Sequence, residues 1–493
     1  MSDLGFTYDT VVIGGGLSGM AAALRRNKRG DKVLLLEKNQ KLGGKLDELK
    51  WNNFRWDKGP SLFTLPHLVD ELFELYGKDP RQYFQYELHH ENCRYYYQDG
   101  TKFILQTDEN QRRLELSQIF SDREANAVED YLIKAASTYN AIGDLFIDEP
   151  KLQWKDALKP KVLKQYPKVL SSQMLRNLNR FNEGKLKHPK LVQLFNRFGT
   201  YNGSNPYKMS GLYSMIPHLE LNLGTYFPKG GMRSIVDGIE NLISETDIEI
   251  RLDQQQIRVE AKNGGFLINS NGRSILSKRV ICAIDHVTFY RKIFRDNKQL
   301  NRSLVEERSS SGLVFYWAID QKFNEIGLHN ILFSEDYKKE FDQIFGGQIP
   351  ENPTIYIHNS SAIEPSDAPE NGQNWFVMIN TPAGVQPTEK QIGQLRSFIV
   401  DRVRQFVGIE IENKILFEDH WTMKDIESIT GSYQGALYGG AFNSKMASFK
   451  RHGNQSKKHK GLFFTGGSVH PGGGIPLVLK SAKIVDQLIE EHG

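Results

Sequence analysis

The chain has 493 residues, 39% hydrophobic and 25% charged, with no low-complexity block. That excludes a disordered or fibrous protein and is too long for one ordinary core, so two or three domains are expected. A net charge of only +4, with no nucleic-acid motif beside it, argues against a nucleic-acid partner, and two cysteines (Cys93 and Cys282) argue against a disulfide framework or a cysteine-built metal site. The opening "MSDLGFTYDT" lacks the basic and apolar regions of a secretion signal. No run reaches the roughly 18 apolar residues that span a bilayer. A cytoplasmic protein without a metal is the expectation.

The first elements form one unit, "YDTVVIGGGLSGMAAALRRNKRGDKVLLLEKN". Thr10 to Ile13 reads as a buried strand, Leu17 to Arg26 as a helix, and Val33 to Leu36 as a second buried strand ending in Glu37. Gly14 and Gly16 stand between strand and helix, and Ser18 and Gly19 in the helix's first turn. This spacing serves a tight turn, close approach of backbone to a pyrophosphate, and close helix–strand packing. The helix N-terminus then offers its dipole and free N–H groups to phosphate. Glu37 lies 18 residues past Gly19, where a carboxylate accepts ribose hydroxyls and repels a 2′-phosphate. A dinucleotide site follows, with NAD and FAD still open.

Lys38 comes next, then the turn Gly43, Gly44, Lys45, and then "FRWDKGPSLFTLP" with Asp57, Gly59 and Pro60. Two more glycine turns so soon suit a longer cofactor threading the fold, and no ordinary second βαβ repeat follows. Residues 121–200 carry helical periodicity. In 151–200 twelve Lys or Arg face two acids, a local balance of +10. Mixed with leucines and aromatics, this stretch can lie on an anionic bilayer surface or form a solvated lid. Residues 245–285 read as short strands, and "RVICAID" at 279–285 as a strand returning to the cofactor unit. "GLVFYWAID", "TIYIHNS" and "WFVMINTP" follow as further strands. The chain closes with a strand, Gly461 to Thr465, a run of five glycines and two prolines between Gly466 and Pro476, and a helix from Ile475 to Leu488.

Taken together, the fingerprint, the Gly-Gly-Lys turn and the Asp-x-Gly-Pro loop resemble the flavin amine oxidase superfamily. "HPGGGIP" at 470–476, "YFPKGGM" at 226–232 and "YNGSNPY" at 201–207 resemble its bacterial carotenoid desaturases, the phytoene-desaturase-like family. One departure is Gly467-Ser468, where amine oxidases usually show Gly-Glu; it counts against an amine substrate. The resemblance implies an α/β fold: a Rossmann-like FAD-binding domain built from 1–70, 235–295 and 455–493, and a mixed α+β substrate domain built from 71–234 and 296–454. It implies FAD held by the residues named above with Ser61, Leu62, Phe63 and Thr64, by Ile257 or Val259 at the adenine, and by Gly467, Gly474, Ile475, Pro476 and Val478 at the ring. The last helix would aim its N-terminus at the flavin's pyrimidine end, which turns anionic on reduction.

The implied substrate is a carotenoid in an apolar tunnel, reached from the membrane, with peripheral contact at the inner membrane surface through 151–200. Hydride passes to flavin N5 and a proton leaves the resulting delocalised cation, with oxygen or a quinone as final acceptor. His218 and Glu220, in "YSMIPHLELNLG", are the candidate proton acceptors or oxygen contacts, with Asp57 and Tyr207 behind them. Overall similarity points to the 1′-hydroxycarotenoid 3,4-desaturase branch. Phytoene or neurosporene desaturation, flavin-dependent isomerisation or saturation, and a non-catalytic prenyl-lipid binder of the Rab GDP-dissociation-inhibitor kind are the alternatives.

Overall fold

A computed structural model of the protein describes residues 6–143, 176–444, 447 and 451–492. The first half of the basic stretch 151–200, read as a membrane-facing surface or a solvated lid, lies outside the described residues. Among the described residues, no helix is long and apolar enough to cross a membrane.

Two seven-stranded sheets organise the chain. In the first, Tyr8–Ile13 lies between Val33–Leu36 and Arg273–Cys282, parallel to both. Glu249–Arg251 extends it in parallel on one side and Leu462–Phe464 on the other. The hairpin Ile257–Lys262 and Gly265–Ser270 is added antiparallel. Parallel strands must be covered on both faces, which is why "TVVI" and "VLLL" are apolar at every position. One face packs under the helices Leu17–Lys28, His67–Glu74, Arg233–Ser244 and Ile475–His492; the other packs against Phe289 and Tyr290. The boundaries placed at 70 and 235 fall inside two of these helices, His67–Glu74 and Arg233–Ser244.

The two chain ends meet in this sheet. The first and last long helices pack together, and buried Arg26 pairs with Asp486 at 2.9 Å and with Glu490 at 2.7 Å.

The second sheet runs Ile415–Trp421, Ser311–Ile319, Gln373–Thr381, Ile355–Asn359, His329–Leu332, Glu91–Tyr96, Lys102–Gln106. Every neighbouring pair is antiparallel except the parallel pair of His329–Leu332 with Glu91–Tyr96. Side chains alternate across it. Leu313, Phe315, Trp317, Trp375, Val377 and Ile379 pack under the helix Glu389–Val407. Val314, Phe376 and Met378 face the other way, into a cavity shared with the first sheet. Helices Asp122–Gly143, Leu178–Lys185 and Pro189–Arg197 build a further core on the Glu91–Tyr96 end.

Candidate functional site

The three N-terminal glycines do three different things. Gly14 has φ 108°, and a Cβ there would sit 2.7 Å from Ile284 Cγ2. A Cβ on Gly19 would lie 1.9 Å from the Gly14 carbonyl oxygen, so the helix can cross the turn only as glycine. Gly16, the helix N-cap, has ordinary φ −72°, and a Cβ there would meet nothing within 4 Å. It points into the cavity. The helix behind it has no side-chain cap and no acid in its first turn, so its leading N–H groups are left for a ligand.

Glu37 is held at the end of its strand by two backbone donors, Gly15 N at 2.6 Å and Asn39 N at 2.9 Å. Both bonds orient the carboxylate and leave further lone pairs for hydroxyls. Gly43 pairs with Gly16 across the turn, and Lys45 Nζ donates to the Leu437 carbonyl at 2.6 Å. A Cβ on Gly59 would fall 1.9 Å from the Lys45 carbonyl oxygen, which pins the next loop against this one.

The C-terminal glycines close the same cavity. A Cβ on Gly466 would lie 3.0 Å from Ser18 Oγ, so the two ends touch here. Gly474, at φ 105°, stands just before the last helix, and a Cβ there would again meet nothing within 4 Å. The segment is held from behind by a fully buried Arg451, which donates to Val469 O at 2.9 Å, Gly440 O at 2.8 Å, Tyr438 O at 2.6 Å and also to Gly467 O. Asn454 Nδ2 adds bonds to Phe464 O, His470 O and Ser481 Oγ. Neither anchor carries a motif signal, and sequence reading missed both.

These loops surround one cavity of ≈ 1250 Å³. A single small-ligand pocket spans about 300–1,000 Å³, so this one exceeds the need of one small ligand. Eight lysines or arginines and three acids line it, a balance that suits an anionic ligand. Beyond the glycines the wall turns apolar: Leu212, Met215, Ile216, Leu219, Val314, Ile331, Phe376 and Met378.

Among the expected residues, Gly14, Gly16, Ser18, Glu37, Lys38, Gly44, Lys45, Gly59, Pro60, Ser61, Leu62 and Thr64 line this cavity. So do Ile257, Gly467, Gly474, Ile475, Pro476 and Val478. Three expected cofactor residues do not. Gly19 acts in packing, as above. Phe63 points away from its neighbours Leu62 and Thr64 into the first core, edge-on to Tyr86. Val259 is 2% exposed under Ile268 and Ile275, while Ile257, at the strand's open end, reaches the cavity.

The four expected acid–base residues also lie off the cavity. On the short helix Ile216–Leu221, Ile216 and Leu219 present the cavity face, and His218 and Glu220 lie outside it. His218 Nδ1 bonds Asn222 Nδ2 at 2.9 Å, and burial pushes its pKa down. Burial pushes Glu220 up, against the pull of Arg197. Asp57 is consumed by Arg55 and by Met232 N at the head of the helix Arg233–Ser244. Tyr207 packs on the core around Phe195 and Phe198.

In their place a polar chain runs from the cavity wall into the second sheet: Ser61, expected only as a cofactor residue, then Tyr356 and His329, which sequence reading did not single out. Ser61 Oγ bonds Tyr356 Oη at 2.6 Å, and Tyr356 Oη bonds His329 Nδ1 at 2.8 Å. His329 stacks on His358 with ring centroids 5.2 Å apart. Burial, with His358 next, holds the His329 pKa well below its ordinary value, so the imidazole is neutral. Burial pushes the Tyr356 hydroxyl up, so it stays protonated.

Comparison with known proteins agrees with this geometry. The family model described as flavin containing amine oxidoreductase matches residues 17–487. The 1-hydroxycarotenoid 3,4-desaturase of Flavobacterium sp. (strain P99-3) is 40% identical over 482 residues, covering 97% of this chain and 98% of the relative. The carotenoid 3,4-desaturase of Haloarcula japonica is 27% identical over 500 residues, covering all of both chains. Putrescine oxidase bound to putrescine shares the fold at TM-score 0.64, with 11% identity over 98% of this chain and 99% of that one.

Proposed function

The chain belongs to the flavin containing amine oxidoreductase family, and from that premise we propose that it desaturates a hydroxylated carotenoid, using FAD. One observation carries the reading: the cavity that the glycine turns open continues without a break into an apolar wall. FAD fits the residues present. Gly16 and Gly474 leave space where any side chain would intrude, Glu37 is set for ribose hydroxyls, and two helix N-termini without acids in their first turns open on one space. Gly16, Ser18 and Lys45 would hold the diphosphate region, and the Gly466–Pro476 segment the ring. An amine substrate fits less well, because the wall beyond the glycines is apolar and Ser468, rather than an acid, lines the cavity.

When bound, the flavin supplies the two-electron acceptor that takes a hydride from the polyene. The chain's own residues do the rest. Val314, Phe376, Met378 and Leu219 hold an extended polyene and exclude water from it. Loss of hydride leaves a cation spread along the conjugated chain, and its neighbouring C–H is acidic. We assign that proton to the chain found above: it passes to Ser61 Oγ, the serine proton to Tyr356 Oη, and the tyrosine proton to His329 Nδ1. The C–H electron pair becomes the new double bond. A neutral, weakly basic imidazole is enough, because the donor is a carbocation.

Lys45 makes this site pH-dependent. Burial pushes its ammonium down to about 8. A diphosphate favours the charged form, so FAD affinity falls as pH rises through that value. Without ligand the sign reverses: between about 8 and the ordinary lysine value the unfolded chain binds more protons, so folding stability rises with pH. FAD dissociation constants at pH 7 and 9 should diverge for the wild type, by about 10-fold. They should not diverge for Lys45→Met, which binds weakly at both. Parallel behaviour of the two proteins would remove Lys45 from cofactor binding.

The test of the function is a panel of hydroxylated and hydrocarbon carotenoids incubated with the holoenzyme and an oxidant. A product absorbing at longer wavelength, one double bond longer, is expected from a hydroxylated member. Oxidation of amines in its place would overturn the reading.

A further inference from the structure

Arg197 ends the helix Pro189–Arg197, lines the cavity, and is 5% exposed. A guanidinium has five donors and cannot shed its charge. Among the described residues the Arg197 guanidinium makes one hydrogen bond, from Nη1 to the Tyr95 hydroxyl at 3.4 Å, and no ion pair. Other buried arginines of this fold are treated differently. Arg112 meets both oxygens of Glu129 at 2.8 and 2.7 Å and three carbonyls besides, and Arg451 meets four carbonyls.

What surrounds Arg197 is mainly aromatic, with the buried Glu220 near enough to feel its charge but not in ion-pair contact. Its guanidinium carbon lies 5.8, 5.7 and 5.5 Å from the ring centres of Tyr95, Phe198 and Tyr201. The rings stabilise the charge but accept none of its in-plane donors. Tyr201 lines the same cavity, and its buried hydroxyl has no partner among the described residues. A buried charge with open donors beside an orphaned hydroxyl is costly to keep, and neither a flavin ring nor a hydrocarbon would relieve it.

We propose that Arg197 and Tyr201 form the subsite for the oxygen-bearing end of the substrate, and so select hydroxylated carotenoids over their hydrocarbon counterparts. This rests on the desaturase reading above. The substrate hydroxyl oxygen accepts from the guanidinium, and its proton is donated to Tyr201 Oη. Arg197, Tyr201 and Tyr356 line the same cavity. Binding the oxygen therefore sets which carbons of the polyene stand before the flavin.

The test measures kcat/KM of the holoenzyme for a hydroxylated carotenoid and for the same carotenoid without its hydroxyl. Arg197→Met keeps volume but takes a cation from beside the buried Glu220, so it is paired with Arg197→Met/Glu220→Gln, which leaves no uncompensated acid and should keep flavin content and melting temperature. For the hydroxylated substrate its kcat/KM should fall by at least about 30-fold, mainly in KM, and far less for the deoxy substrate, so the preference collapses. Tyr201→Phe should shift the preference in the same direction by about 5-fold, and Arg197→Lys should restore part of it. Equal loss for both substrates, or a wild type that shows no preference, overturns the subsite while leaving the desaturase standing. A wild type that oxidises neither carotenoid overturns the desaturase reading and the subsite with it.

Discussion

Gly16→Val yields a folded protein without its flavin. The valine Cβ enters open cavity, and the backbone at φ −72° tolerates it, so nothing in the core is disturbed. The new methyls occupy the space where a diphosphate must approach the backbone. FAD affinity should drop on the order of 10²-fold or more, about 3 kcal/mol, and activity with it. Gly19→Val, three residues on, fails for another reason: its Cβ would stand 1.9 Å from the Gly14 carbonyl oxygen inside the core. The helix must lift off the sheet, at a cost of about 3 kcal/mol or more. Absorbance of the purified proteins and their thermal melts separate the two: Gly16→Val should be colourless with a melt like that of flavin-free wild type, and Gly19→Val poorly folded. A yellow Gly16→Val protein with full flavin occupancy would remove that glycine from the cofactor site.

The second large effect belongs to Tyr356→Phe. The substitution deletes one oxygen and with it both bonds of the chain, to Ser61 and to His329. The ring still packs between Phe376 and His329, so the fold should be kept. Turnover should fall by roughly 10²-fold, the lower end for loss of a positioned acid–base group, with flavin content unchanged. Ser61→Ala should fall less, because Tyr356 remains beside the substrate space. Product formation at the wild-type rate in Tyr356→Phe would dismiss the proton route, and the carbocation would then lose its proton elsewhere.

These sites differ in how visible they were beforehand. The glycine turns, Glu37 and the last helix were legible because one short segment carries each task at fixed spacing. Phe63 was misplaced because an extended loop alternates: Leu62 and Thr64 reach the cavity while the residue between them turns to the core. His218 and Glu220 were misplaced by the opposite periodicity. A six-residue helix presents Ile216 and Leu219 inward, and the polar residues between them face elsewhere. His329 and Tyr356 sit on neighbouring strands of the second sheet and Ser61 reaches them from the loop after Phe54–Asp57, so no local pattern marks the three as one chain. Arg197 is only one of the twelve cations counted in 151–200, since sequence shows a charge but not what surrounds it.

In this reading both chain ends grip one flavin whose reactive face opens on a carotenoid channel. Its most direct test is anaerobic mixing of the oxidised holoenzyme with one equivalent of a hydroxylated carotenoid. The visible flavin band should bleach while the polyene spectrum moves to longer wavelength, one double bond gained for each flavin reduced. A flavin that stays oxidised while the polyene lengthens, or a polyene that stays unchanged while the flavin bleaches, would contradict it.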